Sequence, residues 1–313
     1  MISTDLLRKS AFQCAGLLRA RVPKRLCRFK TPNDSCDDWH SETWSLRAFR
    51  DDADGWVPYA KSDFTGRFIC HLLTLDLPAK DLENVVSPHG LTLQPSGGTN
   101  HTVFLLFGRQ QGVRQILWPN GVWMDYLESI IAIPQVRLRN CSDGYCGPFN
   151  FVTRIDANEL SPVLLGRIIG YPKHLGWMES SSTRFTIAPV GTTTPILTAQ
   201  FEPYGKRMRP RDLPAFQNEF AMMRDPVFSR SVLGQEIFTH LDWQLDEAWA
   251  RLQQATASVT VHKDLPGLPA KTYQWGQNDS SGKVSVRLSV PWQLSGPFPR
   301  SIIRSVSPQL SAG

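Results

Sequence analysis

The sequence predicts a mainly β fold, with some helix, and the run pattern carries that prediction. Short apolar or alternating runs recur along the chain, Val, Ile, Thr and Phe dominate them, and Gly, Pro, Asn or Ser clusters separate them. Within 56–294 two helices are expected. Strands this numerous with few helices between them favour a mostly antiparallel sheet system, closed or two-layered, over alternating βαβ units.

In chain order the runs predict strands over 68–75, 102–107, 129–138, 149–155, 183–190, 195–201, 257–262 and 283–290. Ser161-Pro162 is a start signal for a helix carrying Leu160, Leu164, Leu165 and Ile168, because proline fits the first helical turn. A second helix is expected over 214–225, and long surface loops over 205–214 and 266–283. The chain reads as a basic N-terminal arm (1–55), one domain (56–294) and a flexible tail (295–313), with no internal repeat.

A length of 313 residues with 41% hydrophobic and 20% charged residues is enough to bury a large core, which excludes disorder throughout and fibrous architectures. No apolar run approaches the roughly 20 residues of a membrane-spanning helix, so no membrane partner is expected. The formal net charge is +6, yet residues 1–30 hold eight basic residues against Asp5, leaving 26 basic and 27 acidic residues beyond them. The body is therefore close to neutral, which argues against nucleic acid as a partner. Residues 1–30 are Arg-rich and acid-poor, with Leu7, Ala11, Cys14 and Leu18 at helical spacing. They fit either a mitochondrial presequence or a basic arm without structure of its own.

Six scattered cysteines suit a reducing, intracellular compartment better than a disulfide framework, and Cys141 and Cys146 read as bystanders in a Gly-containing loop. No CxxC, HExxH, GxGxxG, P-loop or GxSxG pattern occurs, so zinc, nucleotide cofactors and a serine-hydrolase elbow lack their usual signatures. His71, His240 and His262 sit in apolar alternations and read as packed or surface residues.

Two segments stand out. One is Tyr126-Leu127-Glu128 followed by Ala132-Ile133-Pro134; the other is Gly166-Arg167 leading into Tyr171-Pro172-Lys173-His174-Leu175-Gly176, with Asp156 between them. In order, approximate spacing and local identity they resemble the acetoacetate decarboxylase family, over roughly 63–268. The resemblance implies a cone-like antiparallel β-barrel with a few peripheral helices. It also implies a cofactor-independent lyase that decarboxylates a β-keto acid, assembling as a homo-oligomer. By motif position Lys173 is the Schiff-base lysine, Glu128 the carboxylate that positions substrate or moves protons, and Tyr126 a substrate-pocket residue.

The chemistry demands these groups. An imine forms only from a neutral amine, and moving a lysine pKa from about 10.4 to about 7 requires about 4.6 kcal/mol of differential destabilisation of the ammonium. The family's second lysine is His174 here. A fixed cation about 6 Å away at an effective dielectric of ~20 would supply about 2.8 kcal/mol, whereas a neutral imidazole supplies almost none, which leaves the task to desolvation. His174 is accordingly a candidate base, a pKa modifier or a strand residue facing away. Ile168 stands where the family has Glu after Arg167, and Thr65 where it has a carboxylate-binding Arg. Arg67, two residues on, and Arg167 are the substitute carboxylate anchors. Because an imine is a general electron sink, aldolase, dehydratase or cyclase chemistry is the alternative, and a non-catalytic binding barrel is the third reading. Trp177, Met178, Phe149 and Phe151 are pocket candidates whose simpler reading is core packing.

Overall fold

A computed structural model of the chain describes residues 64–95, 98–115, 124–141, 145–230, 236–245, 250–276 and 283–298. Its elements are β1 (Phe64–Pro78), α1 (Ala79–Val86), β2 (Leu91–Leu93), β3 (Asn100–Gln115), β4 (Met124–Leu138), β5 (Phe149–Ala157), α2 (Leu160–Ile168), β6 (Lys173–Ser180) and β7 (Arg184–Pro189), then β8 (Leu197–Pro203), α3 (Gln217–Met223), β9 (Val227–Arg230), β10 (Glu236–Trp243), β11 (Arg251–Val261), β12 (Thr272–Trp275) and β13 (Ser285–Phe298). The fold is mainly β, as the run pattern predicts.

The strands form one sheet that closes on itself. β5, β4, β3, β1 and β13 are consecutive neighbours, and β11, β8, β7 and β6 complete a nine-stranded barrel. β10 and β9 bridge β13 to β5 by a second route. The strands common to both circuits therefore form a wall with two dry faces. On one face lie Leu73, Leu105, Phe107, Leu127, Ile131 and Phe149, packed with Met178, Phe185 and Phe201 inside the nine-stranded barrel. On the other lie Phe68, Leu72, Phe104, Leu106, Tyr126 and Val152, packed with Leu165 of α2, Phe220 of α3 and Trp292. Side chains alternate across a strand, so one strand feeds both cores.

Pairing is antiparallel except where β5 meets β6 and β9, which run parallel to it. The connection from β5 to β6 is α2, opened by Ser161-Pro162 as the sequence indicates. Gly170 at φ +96° ends it, in a conformation that costs glycine little.

Several expectations are corrected. The 266–283 segment is not all loop, because it contains β12. β13 continues past 295, with Phe298 opposite Phe238, so the tail cannot begin at 295. The run pattern also missed α1, β2, β6, β9 and β10. Cys141 and Cys146 are joined in a disulfide with Cα atoms 5.6 Å apart, not bystanders. The connection doubles back so that Leu138 N–H donates to the Cys146 carbonyl at 2.9 Å, and this return brings the two cysteines face to face. The proposed targeting segment, 1–30, and the arm, 1–55, lie outside the described residues. No helix among the described residues is long and apolar enough to cross a membrane.

Candidate active site

The wall's second face borders a half-open cavity of about 130 Å³ between β4, β5, α2 and the start of β6. Its apolar lining includes Phe104, Leu106, Ile155, Leu165, Trp243 and Trp292.

Lys173 and Glu128 meet in this cavity although 45 residues separate them. β5 brings them together: its Ala157 pairs with Glu128 of β4, and its Ile155 pairs with Lys173 of β6. The Lys173 ammonium donates to Glu128 Oε1 at 2.5 Å, and both side chains are almost wholly buried. Gln110 Nε2 donates to the other carboxylate oxygen at 2.7 Å, and Trp292 Nε1 donates to Gln110 Oε1 at 2.8 Å. The indole thereby fixes which end of the Gln110 amide faces Glu128. Lys173 Nζ lies 5.3 Å from the centroid of the Tyr126 ring, within cation–π range. Burial and the Glu128 charge hold the Tyr126 phenol well above its ordinary pKa, so it stays protonated.

Two features of α2 set the lysine's path. Gly166 lies against its aliphatic stem, where an added Cβ would come within 2.7 Å of Cε and closer still to Cδ. Arg167 Nε donates to the Lys173 carbonyl at 2.6 Å, tying helix to strand. The motif arginine thus holds the lysine's backbone, and its side chain is not part of the cavity lining.

Arg67 is placed elsewhere too. On β1 the cavity side is taken by Phe64 and by Gly66, where an added Cβ would meet Trp292 and Val113. Thr65 and Arg67 alternate to the opposite side, where Thr65 Oγ1 donates to the Trp292 carbonyl and Arg67 Nε to Ser289 Oγ, each at 2.9 Å. His174 follows Lys173 and turns away from the cavity toward Asp156, which is held by Arg154 through two bonds of 2.7 Å. Partial burial and then the Arg154 charge lower the His174 pKa, against the opposing Asp156, so the imidazole is neutral. The structure therefore unites Lys173, Glu128 and Tyr126 and leaves Arg67, Arg167 and His174 outside.

Trp177 is 46% exposed, while Met178, Phe149 and Phe151 pack in the nine-stranded barrel. His71 stacks on Phe201 with centroids 3.7 Å apart, and burial, followed by Arg287, pushes its pKa down to about 3. Sequence reasoning missed Gln110, Trp292 and Gly166. The available signal for Gln110 was its phase: it shares the parity of Phe104 and Leu106, so a polar side chain stands where the alternation calls for an apolar one.

No family model matches the chain, and no curated protein matches it in sequence. Among solved structures, the enduracididine biosynthesis enzyme MppR complexed with pyruvate superposes with a TM-score of 0.50 at 12% identity, over 76% of this chain and 89% of that one. The acetoacetate decarboxylase of Legionella pneumophila subsp. pneumophila str. Philadelphia 1 gives 0.48 at 18% identity, over 82% and 91%. Another acetoacetate decarboxylase structure gives 0.48 at 13%, over 75% and 88%. The likeness is one of fold, and the fold is the acetoacetate decarboxylase-like barrel that the two motifs imply.

Proposed function

We propose that the chain is an imine-forming enzyme in which Lys173 attacks a small carbonyl substrate and Glu128 carries the protons. The observation that supports this best is the Lys173–Glu128 contact of 2.5 Å inside an apolar cavity. A carboxylate at that distance can take the ammonium proton and expose the amine lone pair. The amine then adds to the carbonyl carbon, and the carbinolamine oxygen leaves as water. Lysine ammonium plus carbonyl yields iminium plus water, so Glu128 shuttles protons without net change. The iminium is itself the electron sink for the bond broken next, and the chemistry calls for no further cofactor. Loss of carbon dioxide from a β-keto acid makes the enzyme a decarboxylase. Retro-aldol cleavage or dehydration of a hydroxy-carbonyl compound uses the same iminium. That MppR is described with pyruvate is consistent with a carbonyl ligand in this fold.

The test is borohydride trapping with a panel of keto acids, ketones and aldehydes, read by intact mass and peptide position. A reduced adduct on Lys173, absent from Lys173→Ala, is expected. Adducts spread over surface lysines, or none on Lys173, would refute the reading.

A further inference from the structure

The cavity's polar groups have already used most of the hydrogen bonds that a carboxylate would need. Among the described residues lining it, Glu128 and Lys173 are the two that carry charge, and they neutralise each other. Most donors are committed internally. Trp292 N–H is on Gln110, Gln110 Nε2 is on Glu128, and Tyr171 Oη is 2.6 Å from Thr239 Oγ1. Asn150 gives both hydrogens of its Nδ2 to the carbonyls of Met222 and Asp225, each at 2.9 Å, and so has no side-chain donor left. The Tyr126 hydroxyl is a single neutral donor, enough for a carbonyl oxygen and too little for a carboxylate. The two arginines that the sequence offers as carboxylate anchors, Arg67 and Arg167, bond Ser289 and the Lys173 carbonyl.

Imine formation preserves charge: the iminium inherits the ammonium's positive charge and Glu128 remains its counter-ion. An uncharged substrate keeps the cavity neutral from binding through iminium. A keto acid brings one uncompensated negative charge into an apolar space, next to Glu128, with no second cation among the described lining residues to receive it. Resting on the imine reading of Lys173, we propose that the substrate is an uncharged carbonyl compound, a ketone or aldehyde with an apolar body, and not a keto acid. Within that reading the reaction is then the retro-aldol branch, in which Glu128 takes the β-hydroxyl proton and the Cα–Cβ pair flows into the iminium to leave an enamine and a neutral carbonyl compound, or the dehydration branch, in which Glu128 takes the Cα proton to form the enamine and returns it to the departing β-hydroxyl as water, leaving an unsaturated iminium.

The experiment compares molecules of matched length. The full chain is titrated with pentan-2-one, pentanal, 2-oxopentanoate and 3-oxohexanoate under cyanoborohydride, and each rate is divided by that with N-acetyl-lysine to remove intrinsic reactivity. The uncharged pair should label Lys173 at about tenfold lower concentration than the acids or better, a factor equivalent to about 1.4 kcal/mol. Equal or preferred labelling by an acid, or turnover of 3-oxohexanoate to carbon dioxide, overturns the inference while leaving the imine reading standing. Labelling of Lys173 by neither class ends both. A second variant tests the electrostatic reason. Leu294 is partly buried on the cavity lining, and Leu294→Arg should move the preference toward 2-oxopentanoate; an unchanged preference overturns the charge argument.

Discussion

Replacing Gly166 with alanine tests whether α2 sets the path of the Lys173 side chain. Gly166 lies within α2, where alanine is favoured over glycine by about 0.5–1 kcal/mol. Helix propensity alone therefore raises stability. The new methyl, however, would sit 2.7 Å from Cε and 2.8 Å from Cγ of Lys173, and closer still to Cδ, where ordinary contact begins near 3.4 Å. The stem has to retreat by about 1 Å along most of its length, and its ammonium leaves the 2.5 Å contact with Glu128. A misplacement of about 1 Å costs on the order of 10²-fold in a positioned reaction. Gly166→Ala should thus lower the melting temperature, because overpacking of about 1–3 kcal/mol and the loosened buried ion pair outweigh the gain in helix propensity, and should slow borohydride-trapped labelling of Lys173 by about 10²-fold, measured on the same preparation by calorimetry and mass spectrometry. A variant that labels at the wild-type rate would show that the lysine's path is not set by α2, and the reasoning about the site would fail.

Other outcomes follow from the same geometry. Glu128→Gln removes the counter-ion of a buried ammonium, so stability should fall by about 3–5 kcal/mol in denaturant titration and Lys173 labelling by at least about 10²-fold. Burial pushes the Asp225 carboxyl up to about 7, against the opposing Gln135 hydrogen bond. Because the folded state holds this proton more tightly than the unfolded chain, the contribution is full below about pH 4 and is lost as pH rises through about 7. Asp225→Asn should flatten that part of the stability–pH curve; an unchanged slope would refute the assignment. Reduction of Cys141–Cys146 should make two further thiols available to alkylation and cost about 2 kcal/mol of stability, with Lys173 labelling unaffected, since Cys141 and Tyr145 pack on the other core.

Much of the fold was legible because most of its long strands are apolar runs. β3, β4 and β5 appear in the sequence as Val, Ile, Leu and Phe stretches that only sheet or a buried helix could accommodate. β6 was not legible. It begins at a lysine, exposes Leu175 and Trp177 and buries Gly176 and Met178, so its pattern is inverted relative to burial. At the site, motif order identified Lys173 and Glu128, which are held together by β5. Their supports could not be read in the same way. Trp292 contacts Gln110 across 182 residues, and no local pattern encodes a contact between strands at opposite ends of a chain. Arg67 was misplaced by phase: even-numbered positions at the start of β1 face the cavity, and Arg67 is odd.

The wall with two dry faces has a consequence for reading variants of this protein. Along β4, Leu127, Ile131 and Ile133 project into the packed barrel, while Tyr126, Glu128 and Ile130 border the cavity. Neighbouring codons thus answer to different demands. Between Met124 and Ile133, odd positions answer to melting temperature and tolerate little change in volume, because their surroundings are already full. Even positions answer to the shape of an empty space and can change size with the molecule it receives. A saturation scan of 124–133, Glu128 aside, should split into two interleaved series, one visible in a stability assay and the other in the range of carbonyl compounds trapped on Lys173, whereas beyond Gln135, at φ +57°, the phase reverses and Val136 and Leu138 join the stability series.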